Sequence, residues 1–190
     1  GRLADAEQNY KQTLRITTQI GDQIGIATSN IDLGALFLDQ GNFNDALPKY
    51  QESLRINKKI GNQQGIIESL NGLGSIYLQQ GRADDSINTY RQALTIAQSI
   101  GDRAAQANVS ENIGFVLLRD NRYEDAIAQY NEALKNLPVV RSSITINKIE
   151  VWLTNKSSNT TGNRNILAFM DLGKHEGNEP NNPKGNIYNN

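Results

Sequence analysis

The sequence has no cysteine, one histidine, one tryptophan, one methionine and four prolines in 190 residues. Without cysteine there is no disulfide framework and no thiolate metal site, and cytoplasm and bacterial cell envelope fit equally well. A lone histidine leaves no Ser/His/Asp set to draw. His175 stands in "HEGNE" with no histidine four residues on, so the zinc-protease pattern fails. No apolar run approaches the ~20 residues that a membrane helix needs. Charge of one sign is lacking too: 19 basic and 20 acidic residues give a net charge of −1. That balance offers no electrostatic footprint for nucleic acid or an anionic membrane. The sequence therefore assigns no catalytic, cofactor-binding or metal-ligating residue, and the chain is not expected to be an enzyme.

What the sequence has is repetition. "QIGDQIGIATSN" at 19–30 returns as "KIGNQQGIIESL" at 59–70 and "SIGDRAAQANVS" at 99–110. Three copies of forty residues span 1–40, 41–80 and 81–120, and a partial fourth, "NRYEDAIAQYNEALKNLPVV", spans 121–140. A fixed period of this length is the signature of a repeat architecture. Each copy holds two helical patterns. In the second copy, Ala46, Tyr50, Leu54 and Ile56 share one face of the first pattern, and Ile66, Leu70, Leu73, Ile76 and Tyr77 carry the other. Seven helices are predicted, over 3–20, 23–40, 43–60, 63–80, 83–100, 103–120 and 123–137. Gly21, Gly61 and Gly101 suit helix ends, where a left-handed residue is common, as do Gly41 and Gly81. Asp22, Asn62 and Asp102 suit the N-cap of the helix that follows. Gly34, Gly74 and Gly114 fall inside helices, each at a cost of about 1 kcal/mol against alanine. Their common phase predicts close approach of a neighbouring helix, with Ala6, Ala46, Ser86 and Ala126 as the small residues on the partner.

These positions resemble the tetratricopeptide repeat. Its Leu-Gly-x-x-Tyr appears as Leu33-Gly34-x-x-Phe37, Leu73-Gly74-x-x-Tyr77 and Ile113-Gly114-x-x-Leu117. Its small residue and later aromatic appear as Ala6/Tyr10, Ala46/Tyr50, Ser86/Tyr90 and Ala126/Tyr130, and its closing proline once, as Pro138. The usual period is 34; the longer hairpins here resemble the long-helix branch that includes kinesin light chains. The resemblance covers 1–140 and implies an all-α, right-handed solenoid that binds proteins or peptides in a concave groove. Within that pattern, residues 1–20 are the second helix of a unit, so the natural protein is expected to continue upstream.

By family position the groove is lined by Thr28, Ile31, Asp32 and Ala35 on one helix, and by Glu68, Asn71, Gly72 and Ser75 on the next. Asn108, Glu111, Asn112, Phe115 and Arg119 follow on the last. The resemblance gives Asn71 and Asn112 the role of holding a peptide backbone, from which Asp32 and Gly72 depart. The basic residues of a carboxylate clamp are missing, which disfavours an acidic peptide terminus held that way. Ordinary solvated groove residues are the competing account for each position. Gly72 and Gly74 lack the third glycine and the preceding strand of a phosphate loop, so close packing is the better account. Asp84-Asp85 and Glu124-Asp125 fall at helix N-termini, where acids complement the dipole, rather than forming catalytic pairs.

After Pro138 the register stops. Residues 141–190 hold eleven asparagines and no forty-residue echo. The expected divisions are a solenoid over 1–138, a strand–loop–strand segment over 139–174 and a disordered tail over 175–190. "SITINKIEVWLTN" alternates as a strand with a bulge at Asn147-Lys148, and "RNILAFMDLG" is a second strand. Two strands alone are marginal, so they are expected to pack on the solenoid, to add to another sheet, with self-association as one form of this, or to belong to a larger domain. Asn155 and Asn159 open glycosylation triplets, which are common by chance in asparagine-rich sequence and void in a bacterium. The residues Lys148–Trp152, Thr154-Asn155, Arg164-Asn165 and Ala168–Gly173 are similar to a segment of the SprA family, translocon proteins of the type IX secretion and gliding machinery of Bacteroidetes. That likeness implies a secretion-machine adaptor or component as the alternative function. The join near 139–143 is then either native or artificial.

Overall fold

The computed structural model describes residues 2–136 and the backbone of 150–153 and 166–169. The first unit contains seven helices: α1 (Arg2–Ile20), α2 (Gln23–Asp39), α3 (Phe43–Ile60), α4 (Gln63–Gln79), α5 (Ala83–Ser99), α6 (Arg103–Arg119) and α7 (Tyr123–Asn136). Four of the first six end one residue before the predicted limit, because Gln40, Gln80, Ile100 and Asp120 serve as C-caps. In the second unit, Glu150–Leu153 (β1) pairs antiparallel with Ile166–Phe169 (β2), Glu150 opposite Phe169 and Leu153 opposite Ile166. The expected bulge, the glycosylation triplets, His175 and the tail lie outside the described residues.

One turn geometry joins all seven helices. At the α2–α3 turn, the Asn42 N–H donates to the Phe37 carbonyl at 2.8 Å and the Gly41 N–H to the Leu38 carbonyl at 2.9 Å. Those two bonds satisfy carbonyls that a helix end leaves orphaned. The same pair recurs at the other five turns. The pivot residue has φ +71° at Gly41 and +60° at Asn121, where the fourth copy replaces glycine with the residue next best suited to that conformation. Asp22, Asn62 and Asp102 then accept the backbone N–H three residues on, as N-caps. The sequence "IGD" is thus a helix stop followed by a helix start.

Each helix packs on its successor, and the even-numbered helices α2, α4 and α6 also touch in order as one row. Two apolar clusters fill the interior. One gathers Leu33, Phe37, Ala46, Tyr50, Leu73 and Ile76; the other runs from Ile66 and Leu70 through Ile87 and Tyr90 to Ile113, Val116 and Ala126. The helix glycines make room for a side chain rather than for a backbone. A Cβ at Gly34 would stand 2.9 Å from the Tyr50 ring, one at Gly74 2.7 Å from Tyr90 and one at Gly114 3.1 Å from Tyr130. Tyr50 also meets Gly72 with its other edge, so the ring is wedged between α2 and α4. Of the four small residues, Ala46, Ser86 and Ala126 are buried and Ala6 is half-buried, and the Ser86 hydroxyl donates to the Gly74 carbonyl at 2.7 Å.

A buried polar network is peculiar to the second copy. The Asn62 amide donates to Asn57 Oδ1 at 2.9 Å and the Asn57 amide to Ser53 Oγ at 3.0 Å; the Ser69 hydroxyl donates to the Gly65 carbonyl at 2.7 Å and lies 2.9 Å from Ser53 Oγ. The equivalent positions of the third copy are Ala93, Ala97 and Val109, all fully buried.

Candidate protein-interaction face

Residues spaced by forty recur on the open side of the α2–α4–α6 row. Thr28, Glu68, Asn108, Glu111, Phe115 and Arg119 are exposed; Asp32, Asn71, Ser75 and Asn112 are half-buried. Ile31 and Ala35 are half-buried too, whereas Gly72 lies buried under the Tyr50 ring and lines nothing. That corrects the family-position reading: Gly72 is where α4 receives the tyrosine, which its counterparts Asp32 and Asn112 do not allow.

The row brings three asparagines from two helices together. The Asn71 and Asn112 amides both reach Asn108 Oδ1, each at 3.5 Å, the long limit of a hydrogen bond. Asn71 Oδ1 itself is buried with no partner among the described residues. Phe115 is 47% exposed, with the Arg119 guanidinium 5.9 Å from its ring centroid. Its counterparts Ala35 and Ser75 are small. Ser75 is already engaged, since its hydroxyl donates to the Asn71 carbonyl at 3.1 Å and lies 2.9 Å from the Tyr90 hydroxyl. It orients a core tyrosine, a role the spacing did not reveal.

Electrostatics single out the α2 end. Burial raises the Asp32 carboxyl above its usual range. Burial, then the charges of Asp39 and Asp32, push the Tyr50 phenol up to about 12. Tyr90 and Tyr130 are raised by burial, Tyr130 also by Glu111. Sequence reasoning missed Asp39 and Tyr50 as members of this face; Asp39 was legible, being seven residues and two turns beyond Asp32. It also missed a cleft of about 540 Å³ lined by residues of α1, α2 and α3, among them Lys11, Lys49, Glu52 and Pro48. Lys11 is paired there with Glu7 at 2.6 Å.

The tetratricopeptide repeat family matches residues 1–59 and 65–138, most of the chain. The chain belongs to the tetratricopeptide repeat family. Two solved structures share the fold of this tetratricopeptide solenoid. BtubC (BKLC) from P. vanneervenii gives a TM-score of 0.64 at 23% identity, over 77% of this chain and 63% of that one. This chain thus spans a little under two thirds of BtubC. The TPR domain of Arabidopsis FLU gives 0.55 at 17% identity, over 58% of this chain and 93% of that domain. No curated protein matches the chain. Tetratricopeptide proteins generally act as protein-interaction scaffolds, and among the described residues no helix is long and apolar enough to cross a membrane.

Proposed function

We propose that this solenoid is a scaffold whose α2–α4–α6 face binds a peptide or partner helix. The observation that carries the reading is the exposed Phe115 ring on the same open face as the Asn71/Asn108/Asn112 cluster. An exposed aromatic is the kind of residue on which binding energy concentrates. Asparagine amides supply both donors and acceptors to a peptide backbone. Thr28, Glu68 and Glu111 contribute polar contacts around this centre, and Arg119 extends it along α6. The type IX secretion alternative rests on the sequence likeness of 144–174, which falls largely outside the described residues.

Peptide-library binding to the chain tests the reading. Phe115→Ala is expected to weaken selected peptides by about 1–2 kcal/mol, and the double change Asn71→Ala, Asn112→Ala to weaken them further. Binding untouched by all three substitutions would move the partner to another surface.

A further inference from the structure

The charges on the α2–α4–α6 row are one-sided. Its carboxylates are Asp32, Asp39, Glu68 and Glu111; its cations are Arg103 and Arg119. Arg103 donates to the Lys135 carbonyl at 2.8 Å, toward α7, and Arg119 stands over Phe115. None of the four carboxylates makes an ion pair among the described residues. The ion pairs there lie on the odd-numbered helices and at their starts, as with Glu7–Lys11, Glu52–Arg55 and Asp125–Arg122.

A second observation points the same way. Tyr50 is only 4% exposed, and its hydroxyl has no hydrogen-bond partner among the described residues. The equivalent Tyr90 hydroxyl is met by Ser75 at 2.9 Å, but the residue matching Ser75 one repeat earlier is Ala35, which supplies nothing. The charges acting on that phenol are those of Asp39 and Asp32. It keeps its proton at neutral pH, and its oxygen has lone pairs free to accept. The ring is buried but the hydroxyl oxygen is not sealed off, so an incoming donor can reach it.

We propose that the α2 end of this face takes the lysine or arginine side chains of an extended basic polypeptide segment, held by Asp32 and Asp39 with the Tyr50 hydroxyl as a further acceptor. The proposal rests on the reading of the row as the partner surface and deepens it. Seven residues at a rise of about 1.5 Å place the two aspartates roughly 10 Å apart along the helix. That is too far to chelate one metal ion and suits successive cationic side chains. Glu68 and Glu111 continue the negative potential across α4 and α6, where it steers a positive partner toward the row.

The test uses three fluorescent peptides of equal length, lysine-rich, glutamate-rich and uncharged, titrated into the full chain by anisotropy at low and high salt. The lysine-rich peptide is expected to bind tightest and to weaken with salt. The double variant Asp32→Asn, Asp39→Asn should bind it about tenfold more weakly, and Tyr50→Phe about two- to threefold more weakly. Glu124→Gln on α7 should change nothing, and circular dichroism should find every variant as helical as the parent. Equal or tighter binding of the uncharged or glutamate-rich peptide overturns the proposal. So does lysine-rich binding that survives the double change, or failure of all three peptides to bind. If an uncharged peptide binds and needs Phe115, the face remains the partner surface and only its charge preference is lost. Binding independent of every α2, α4 and α6 substitution removes both readings.

Discussion

A methyl group added at Gly74 would stand 2.7 Å from the Tyr90 ring, but 3.1 Å from Tyr130 if added at Gly114. Tyr90 is 2% exposed between packed helices, whereas Tyr130 is half-buried on the last described helix and can shift. Alanine gains up to about 1 kcal/mol over glycine inside a helix. Gly114→Ala should therefore be near neutral or slightly stabilising, while Gly74→Ala should destabilise and Gly74→Leu cost about 1–3 kcal/mol from overpacking. Gln79→Leu, on the exposed surface, is the control. Equal denaturation midpoints for Gly74→Leu and Gln79→Leu would remove the packing account. Tyr50 adds a pH dependence. Its folded pKa of about 12 lies above its ordinary value, so the unfolded chain ionises first. The associated stability is complete below about pH 10 and declines as pH rises toward 12, at up to about 1.4 kcal/mol per pH unit. Tyr50→Phe should flatten that decline in urea melts; an unchanged slope would assign it to other groups. The glycine phase was legible in the sequence because three costs recur at one spacing. The tyrosine contact was not, since Tyr50 lies sixteen residues from Gly34 and twenty-two from Gly72 and only packing joins them.

At the scale of the helix, starts and stops were almost fully legible, because caps act within three or four residues of their own position. The polar network of α3 and α4 was not, because Ser53 and Ser69 look like tolerated small residues until both are seen fully buried. Its energetics are asymmetric. Ser53→Ala alone strands the Asn57 amide and should cost about 1–3 kcal/mol, while the Ser69 hydroxyl keeps the Gly65 carbonyl at 2.7 Å. Changing Ser53→Ala, Asn57→Ala and Ser69→Val together installs the apolar set of the third copy and should cost much less. A triple variant less stable than the single one in thermal melts would show that the network stabilises beyond its shape. Gly65 belongs to the same unit, for an added Cβ would meet the Asn57 amide. The third copy pairs Ala97 with Ala105 instead. Large with small in one repeat and small with small in the next keep the helices seated alike.

Across the whole molecule, burial is graded along the stack. Ile16 on α1 is 48% exposed, whereas its equivalent Ile56 on α3 is 1% exposed. Repeat arrays draw stability from each unit and its nearest neighbours, so α1 should open first. Ile56→Ala should cost about 2–5 kcal/mol and Ile16→Ala under about 1 kcal/mol. Hydrogen exchange should find α4 and α5 slowest and α1 fastest; uniform protection would mean the array unfolds as one block. The face proposed to bind was legible only as a stripe of positions. Which of its side chains stay available depended on neighbours such as Ser75 and Gly72, whose engagement no spacing announces.

The wedge at Tyr50 has a consequence for the curvature of the row. Because Gly72 admits the far edge of that ring, α2 and α4 meet over a longer stretch than α4 and α6, where Asn112 stands in the matching place. The Tyr50 ring thus pins α2 to α4 within the row. On the proposed binding mode, a partner lying across the row would meet that pin beside the aspartates and the looser α4–α6 contact beside Phe115. Swapping the residue at 72 for its neighbour's asparagine would move the pin, and with it the arc that the scaffold presents.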